Sequence, residues 1–306
     1  MVLRHTYAST DDLRDYLSGT SYSSGWSSDA ASLRLILEAE SRRIDDYCGG
    51  GSFGPQTATR GFDIGRGNLR HSPQYSVSAT GSDTIGNTDQ MVGVIQLDGW
   101  LASATTVTAY SGTDRSSNTV LTEGYNNDYW LMPYNLTPKT MFQMNEDSSN
   151  TLDGGQQTLL IAGQWGYLND TLSVTTSDAI SSTTATSVSV TSATDLGPAQ
   201  TILIDSEQLY ITAISGNPLT VERGVNGTTA ATHSGGATVY KYDYPSLVVQ
   251  ACKDLSKIVF RDRDVGRIDV IGGTENQITR TSIEFKQIMD TLKPYRVSGT
   301  SNGIIF

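Results

Sequence analysis

Apolar residues recur at helical spacing near both ends of the chain and at alternate positions through its middle. Near the start, Ser9 or Thr10 can cap a short helix that runs through Leu17, with Asp11 and Asp12 at its positive end. A longer helix follows, opened by Ser28-Asp29 and reading DAASLRLILEAESRRIDDYC. Leu33, Ile36, Leu37, Ile44 and Tyr47 fall on one face of it, and Gly49-Gly50-Gly51 ends it. The helical period returns at Pro245, a residue suited to a first helical turn. Leu247, Val248, Ala251, Leu255, Ile258 and Val259 form the apolar stripe there. A last helix, SIEFKQIMDTL, stops before Pro294.

Between these ends the period changes to two. Met91 to Asp98, Thr105 to Tyr110, Asp128 to Met132 and Gln157 to Tyr167 read as strands of an antiparallel β-domain. The polar stretch from Gly65 to Gln90 is too long for an ordinary connection and reads as a mobile or interaction arm. From Leu172 to Tyr242 a second β-module follows. Its Ser/Thr-rich opening reads either as a linker or, through SVSVTS, as a strand. TILID, QLYITAI, PLTVERG and ATVYKY are strand-like, with hairpin-type connections at Asp205-Ser206-Glu207 and Gly216-Asn217-Pro218.

Each terminal helix pair needs a partner for its apolar stripe, so the pattern predicts that the pairs pack on each other. The expected fold is α+β: a helical bundle (residues 1–56 and 243–293) from which a β-rich domain (57–171, with the 65–90 loop) and a small β-insert (172–242) hang. An extended C-terminal arm (294–306) completes it. Trp165, in a strand ending Trp165-Gly166-Tyr167, is expected to be buried between the β-domain and the bundle.

Charge and composition narrow the function. Of 306 residues, 32 are acidic and 21 basic, a net charge of −11 that argues against tight grip on a phosphate backbone. Cys48 and Cys252 are the two cysteines, both in helical patterns, and read as small buried side chains. The N-terminus has no apolar signal region, and no apolar run approaches membrane-spanning length, which points to the cytosol.

The residues capable of chemistry read as scaffold. His5, His71 and His233 are far apart with no second ligand at useful spacing, so no metal site is expected. Cys48 lacks a neighbouring His to activate it. Asp205 with Glu207, and Asp262 with Asp264, read as surface charges rather than an acid–base pair. In VERGVNGTTAATHSGGATVYKY, Gly224 and Gly227 suit positive φ, Asn226-Gly227 is a turn pair, and His233 is expected to pack over the turn. Every residue there has a structural task, so neither an enzyme nor a cofactor is expected.

Four segments resemble the head-to-tail connector (adaptor) proteins of tailed bacteriophages. These are YASTDDLRDYL; LRLILEAESRRIDDYCGG with the following Phe53 and TATRGFDI; LLIAGQWGY; and YPSLVVQACKDLSKIVFRDRD. Leu219 to Tyr240 is similar to a β-insert of the long connectors and of other phage proteins. The resemblance implies a homo-oligomeric, usually dodecameric, ring in the virion neck, assembled in the host cytoplasm. Such a ring docks on the portal protein, seats the next neck or tail-completion protein, and continues the DNA channel so that duplex DNA passes without tight binding. It also implies a C-terminal arm reaching the portal, here Pro294, Tyr295, Arg296, Ile304, Ile305 and Phe306. The alternative is a saccharide-binding phage tail or surface protein, suggested by β-modules with 15 Tyr and 4 Trp.

Overall fold

The computed structural model describes residues 3–18, 30–64, 84–85, 94–111, 115–145, 148–150, 152–153, 155–168, 170–264 and 277–297. His71, most of the 65–90 loop, the Asp262 and Asp264 side chains, and Ile304, Ile305 and Phe306 lie outside the described residues. The chain divides into two units, one formed by Met1–Gly54 with Asn169–Phe306, the other by Pro55–Leu168.

The elements in order are helices α1 (Thr10–Ser18) and α2 (Ala30–Cys48), then strands β1 (Gln56–Ile64), β2 (Thr84–Ile85), β3 (Val94–Ser111), β4 (Ser117–Leu121), β5 (Tyr129–Met132), β6 (Lys139–Met144), β7 (Leu152–Asp153) and β8 (Gly155–Trp165). There follow β9 (Thr171–Thr176), β10 (Ser187–Ser189), β11 (Thr201–Ile204), β12 (Glu207–Ile214), β13 (Pro218–Glu222) and β14 (Thr238–Tyr242), then α3 (Ser246–Asp264) and α4 (Gln277–Thr291). The expectation of an α+β protein centred on a helical bundle is overturned. Two antiparallel six-stranded sheets dominate the described chain, and the helices are the minor part. The pattern misleads because helical stripes are easy to read, whereas short Ser/Thr-rich strands carry few apolar residues each.

In the second unit the sheet order is β1-β8-β3-β6-β5, with β4 also on β3. β3 is one strand where the sequence suggests two. Gly99, at φ 130°, and the register shift between Gln96 and Leu101 let the chain bend without leaving the sheet. Gly163 sits where any side chain would meet the backbone carbonyl of Ser103, so β8 and β3 pass too closely there for a Cβ. Trp165 is buried in this unit's own core, against Phe62, with its Nε1–H donated to the Ala58 carbonyl (3.1 Å) and Arg60 over its ring at 4.2 Å. Gly166 donates its N–H to the Trp100 carbonyl, and Tyr167 meets the Trp100 ring edge-on.

In the first unit the second sheet runs β10-β13-β12-β11-β14-β9. A bridge between Ser177 and Val190, with backbone bonds Asp178 N–H to Ser189 O and Thr191 N–H to Thr176 O, joins its outer strands. The sheet therefore closes at that end into a small barrel. Its interior is filled by Val188, Ile202, Ile204, Leu209, Ile211, Leu219, Val221 and Val239. The Ser/Thr-rich stretch is no linker: it supplies β9, β10 and the closing bridge.

The helices α1, α2, α3 and α4 pack on one another beside the barrel. Along α2 the buried stripe is Leu33, Leu37, Glu40, Ser41, Ile44, Asp45 and Cys48, so three of its seven members are polar. On α3, Val248, Ala251, Cys252, Leu255 and Ile258 are buried, while Leu247 is exposed. The first residues of the expected extended arm are folded: Lys293–Tyr295 form a 3-10 turn, Tyr295 packs edge-on against Phe53, Arg296 lies over the Tyr47 ring, and Val297 N–H bonds the Cys48 carbonyl.

Candidate functional site

The stretch Leu3 to Thr10 holds the barrel and the helices together. Arg4 N–H donates to Asn226 Oδ1 (2.7 Å), and the Arg4 guanidinium reaches Glu222 (2.9 Å) and Glu38 (3.4 Å). The Thr201 hydroxyl bonds the Arg4 carbonyl, the Thr6 hydroxyl bonds the Ala199 carbonyl, and Thr10 N–H bonds the Pro198 carbonyl. Ser9 and Asp12 then cap α1 reciprocally, Asp12 N–H to Ser9 Oγ (3.0 Å) and Ser9 N–H to Asp12 Oδ2 (2.9 Å). Tyr210, fully buried on the outer surface of β12, donates to Glu38 of α2 (2.6 Å). The barrel is thus built into the helical core.

A buried polar junction lies where this stretch meets α2 and α3. The Tyr7 hydroxyl donates to Asp45 and accepts the Phe53 N–H (3.0 Å). Arg42 pairs with Asp45 (2.9 Å) and donates to the His5 carbonyl (2.6 Å). His5 Nδ1 meets the Tyr244 hydroxyl (2.9 Å), and the Tyr7 and Tyr244 rings pack edge-on. Burial pushes the Asp45 carboxyl up to about 7, against the opposing pull of Arg42 and of the hydrogen bonds from Tyr7 and Phe53. Burial also holds Tyr7 and Tyr244 well above the usual phenol range. The Cys48 and Cys252 thiols are raised by burial to about 12 and about 11, which keeps them protonated and unreactive as nucleophiles.

The second polar cluster is in the turn VERGVNGTTAATHSGG. Glu207 is fully buried and accepts both Nε (2.6 Å) and Nη2 (2.7 Å) of Arg223, the N–H groups of Gly224 (3.1 Å) and Ala231 (3.0 Å), and His233 Nε2 (2.8 Å). Burial would raise this carboxyl; the bonds from Arg223, Ala231 and His233, with the Arg223 charge, prevail and bring it down to about 2. His233 Nδ1 faces Asp205 Oδ2 at 2.7 Å, so the ring sits between the two carboxylates. The reading of Asp205 and Glu207 as surface charges holds for Asp205, whose side chain is 64 % exposed, and fails for Glu207. His233 does more than pack over a turn; it bridges two acids. Gly224 and Gly227 take positive φ, as the turn requires, and Asn226 beside them takes it too. The Asn226 side chain holds Arg4 and Gln208, a role its sequence neighbours do not reveal.

Neither cluster places a nucleophile beside a base. Among the described residues no three His, Cys, Asp or Glu side chains converge as metal ligands, and no helix is long and apolar enough to cross a membrane. Of the expected portal-contact residues, Pro294 and Arg296 are exposed and Tyr295 is half-buried. Comparison with family models, with curated proteins and with solved structures gives no significant match.

Proposed function

We propose that the chain is a structural, ring-forming protein of the neck of a tailed phage particle. In this reading it docks on the portal, seats the next neck protein and lets duplex DNA through without gripping it. The observation that carries the reading is how the four connector-like segments pack within each unit. Tyr7 of the first, Arg42 and Asp45 of the second, and Tyr244 with Cys252 of the fourth form one buried junction. In the other unit TATRGFDI (β1) pairs with LLIAGQW (β8), from Thr57↔Gln164 to Phe62↔Leu159. Segments scattered along the sequence thus become the packing partners of each unit. The net charge of −11 suits a channel wall that must not retain DNA. Pro294 and Arg296, with the Ile304–Phe306 end of the chain, remain the proposed portal contacts.

The saccharide-binding alternative would draw on Trp130 and Tyr134. Their rings meet at 83°, which makes a packed corner rather than a flat stacking platform, and the connector reading is preferred. Negative-stain images of the purified protein, alone and mixed with its portal, test it. A ring with a central hole that caps the portal is expected; a monomer or trimer that ignores the portal refutes it.

A further inference from the structure

Cations are the minority charge in this chain, and Arg4, Arg14, Arg42, Arg43 and Arg223 each meet a carboxylate, at 2.6 to 3.3 Å. Two lysines of α3 do not. Lys253 and Lys257 stand four residues apart on one face of the helix, half-buried, and among the described residues neither meets a carboxylate. Asp254, beside them, is bonded by neutral donors: the Tyr16 hydroxyl, and Gln250 Nε2 at 3.2 Å. Both ammoniums lie instead over the Tyr16 ring of α1, 5.5 and 5.3 Å from its centroid.

Like charges four residues apart on a helix repel each other. An aromatic face attracts both ammoniums without discharging either, and it leaves N–H donors for a further acceptor. Arg261, four residues further along the same face, is already paired with Glu284 at 3.3 Å. The kind of cation matters too. The ion pairs named above use arginine, whose planar fork fits a carboxylate held in one orientation. Lysine is a point charge on a flexible stem, suited to an anion that offers many equivalent positions and moves past. A duplex backbone is such an anion, with one phosphate per about 3.4 Å of axis on each strand. Four helical residues rise about 6 Å, so the two ammoniums can meet neighbouring phosphates of one strand.

We infer that Lys253 and Lys257 form the surface along which duplex DNA passes, donating to backbone phosphates and reading no base. This rests on the ring reading and names the helix face that lines its channel. The contact is weak by construction. Two lysines per chain release few counterions, and the net charge of −11 opposes them, so the duplex is guided and not held.

Fluorescence anisotropy of a labelled duplex tests it, titrated with the assembled size-exclusion fraction of the full chain between about 50 and about 200 mM salt. Light scattering establishes the assembly, and circular dichroism checks that each variant is folded. Wild type is expected to bind at the low end and to weaken at least about tenfold by the high end. Lys253→Gln with Lys257→Gln should weaken low-salt binding at least about tenfold and lower the salt slope by about 2. Lys286→Gln, an exposed lysine of α4, is the control and should bind like wild type. Rings that ignore the duplex at about 50 mM salt, or a double variant with an unchanged slope, overturn the contact and leave the ring reading standing. So does polyglutamate that displaces the duplex at lower charge concentration, which would assign the lysines to an acidic protein surface. A wild type that is monomeric at every concentration overturns both.

Discussion

Replacing Glu207 by Gln removes one charge and turns two acceptor oxygens into one acceptor and one donor. In the native turn five donors converge on this carboxylate, two of them from Arg223, whose side chain is only 5 % exposed. The amide of Gln can satisfy a minority of them, and its NH2 group must face donors. Two routes give the magnitude. The carboxyl's fall from an ordinary 4.5 to about 2 corresponds to roughly 3 kcal/mol of preference for the ionised form in the fold. Breaking a buried ion pair from one side costs about 3–5 kcal/mol, because the partner charge is left uncompensated. The expected loss is therefore about 3–4 kcal/mol in urea unfolding, with early exchange of the Gly224 and Ala231 amides. Because the folded value is depressed, the wild-type contribution is complete above 4.5 and disappears as pH falls toward 2. Glu207→Gln should lack that component of the acid transition. A variant within 1 kcal/mol of wild type, roughly the value of a single ordinary hydrogen bond, would refute the claim that this ion pair holds the turn.

Asp45 should act in the opposite sense: its carboxyl is raised from 3.8 to about 7, so its contribution is complete below 3.8 and is lost as pH climbs through 7. Asp45→Asn is expected to flatten the wild-type decline of up to roughly 4 kcal/mol across that window, measured by urea unfolding at pH 4 and pH 8. Trp165→Ala should destabilise the second unit by about 3–5 kcal/mol, read from its remaining tryptophan fluorescence, and a loss under 1 kcal/mol would count against its core position. Gly163→Ala should destabilise by about 1–3 kcal/mol through its clash with the Ser103 carbonyl; a neutral result would mean that β3 gives way freely.

The helices were legible because their stripes are local: Leu33, Leu37 and Ile44, four and seven residues apart, announce one face of α2. The strands β11 to β14 were legible for the same reason. The barrel was not, since its closure depends on Ser177 meeting Val190 and on backbone hydrogen bonds from Asp178 to Ser189 and from Thr191 to Thr176, mostly polar residues with no apolar period. The pattern understates the weight of β over α because a strand as plain as SNTVL or KTMFQM contributes no strong period. At the candidate site, the turn chemistry of Gly224, Asn226 and Gly227 was readable. The partners were not: Asn226 holds Arg4 from 222 positions away, and Tyr7 holds Asp45 from 38. Glu207 faces Arg223 and the Gly224 and Ala231 amides where Asp205 does not, and nothing in a two-residue spacing says which of two acids the fold will swallow.

Both β-regions begin and end on paired strands, Gln56 beside Trp165 and Thr171 beside Tyr242. Tension applied through the flanking chain therefore pulls two antiparallel neighbours apart at one end of their ladder. The bonds between them are loaded one after another, as in a zipper, rather than together in shear. Each region would peel open at low force from its root while its far turns stayed intact, and would close again along the same path.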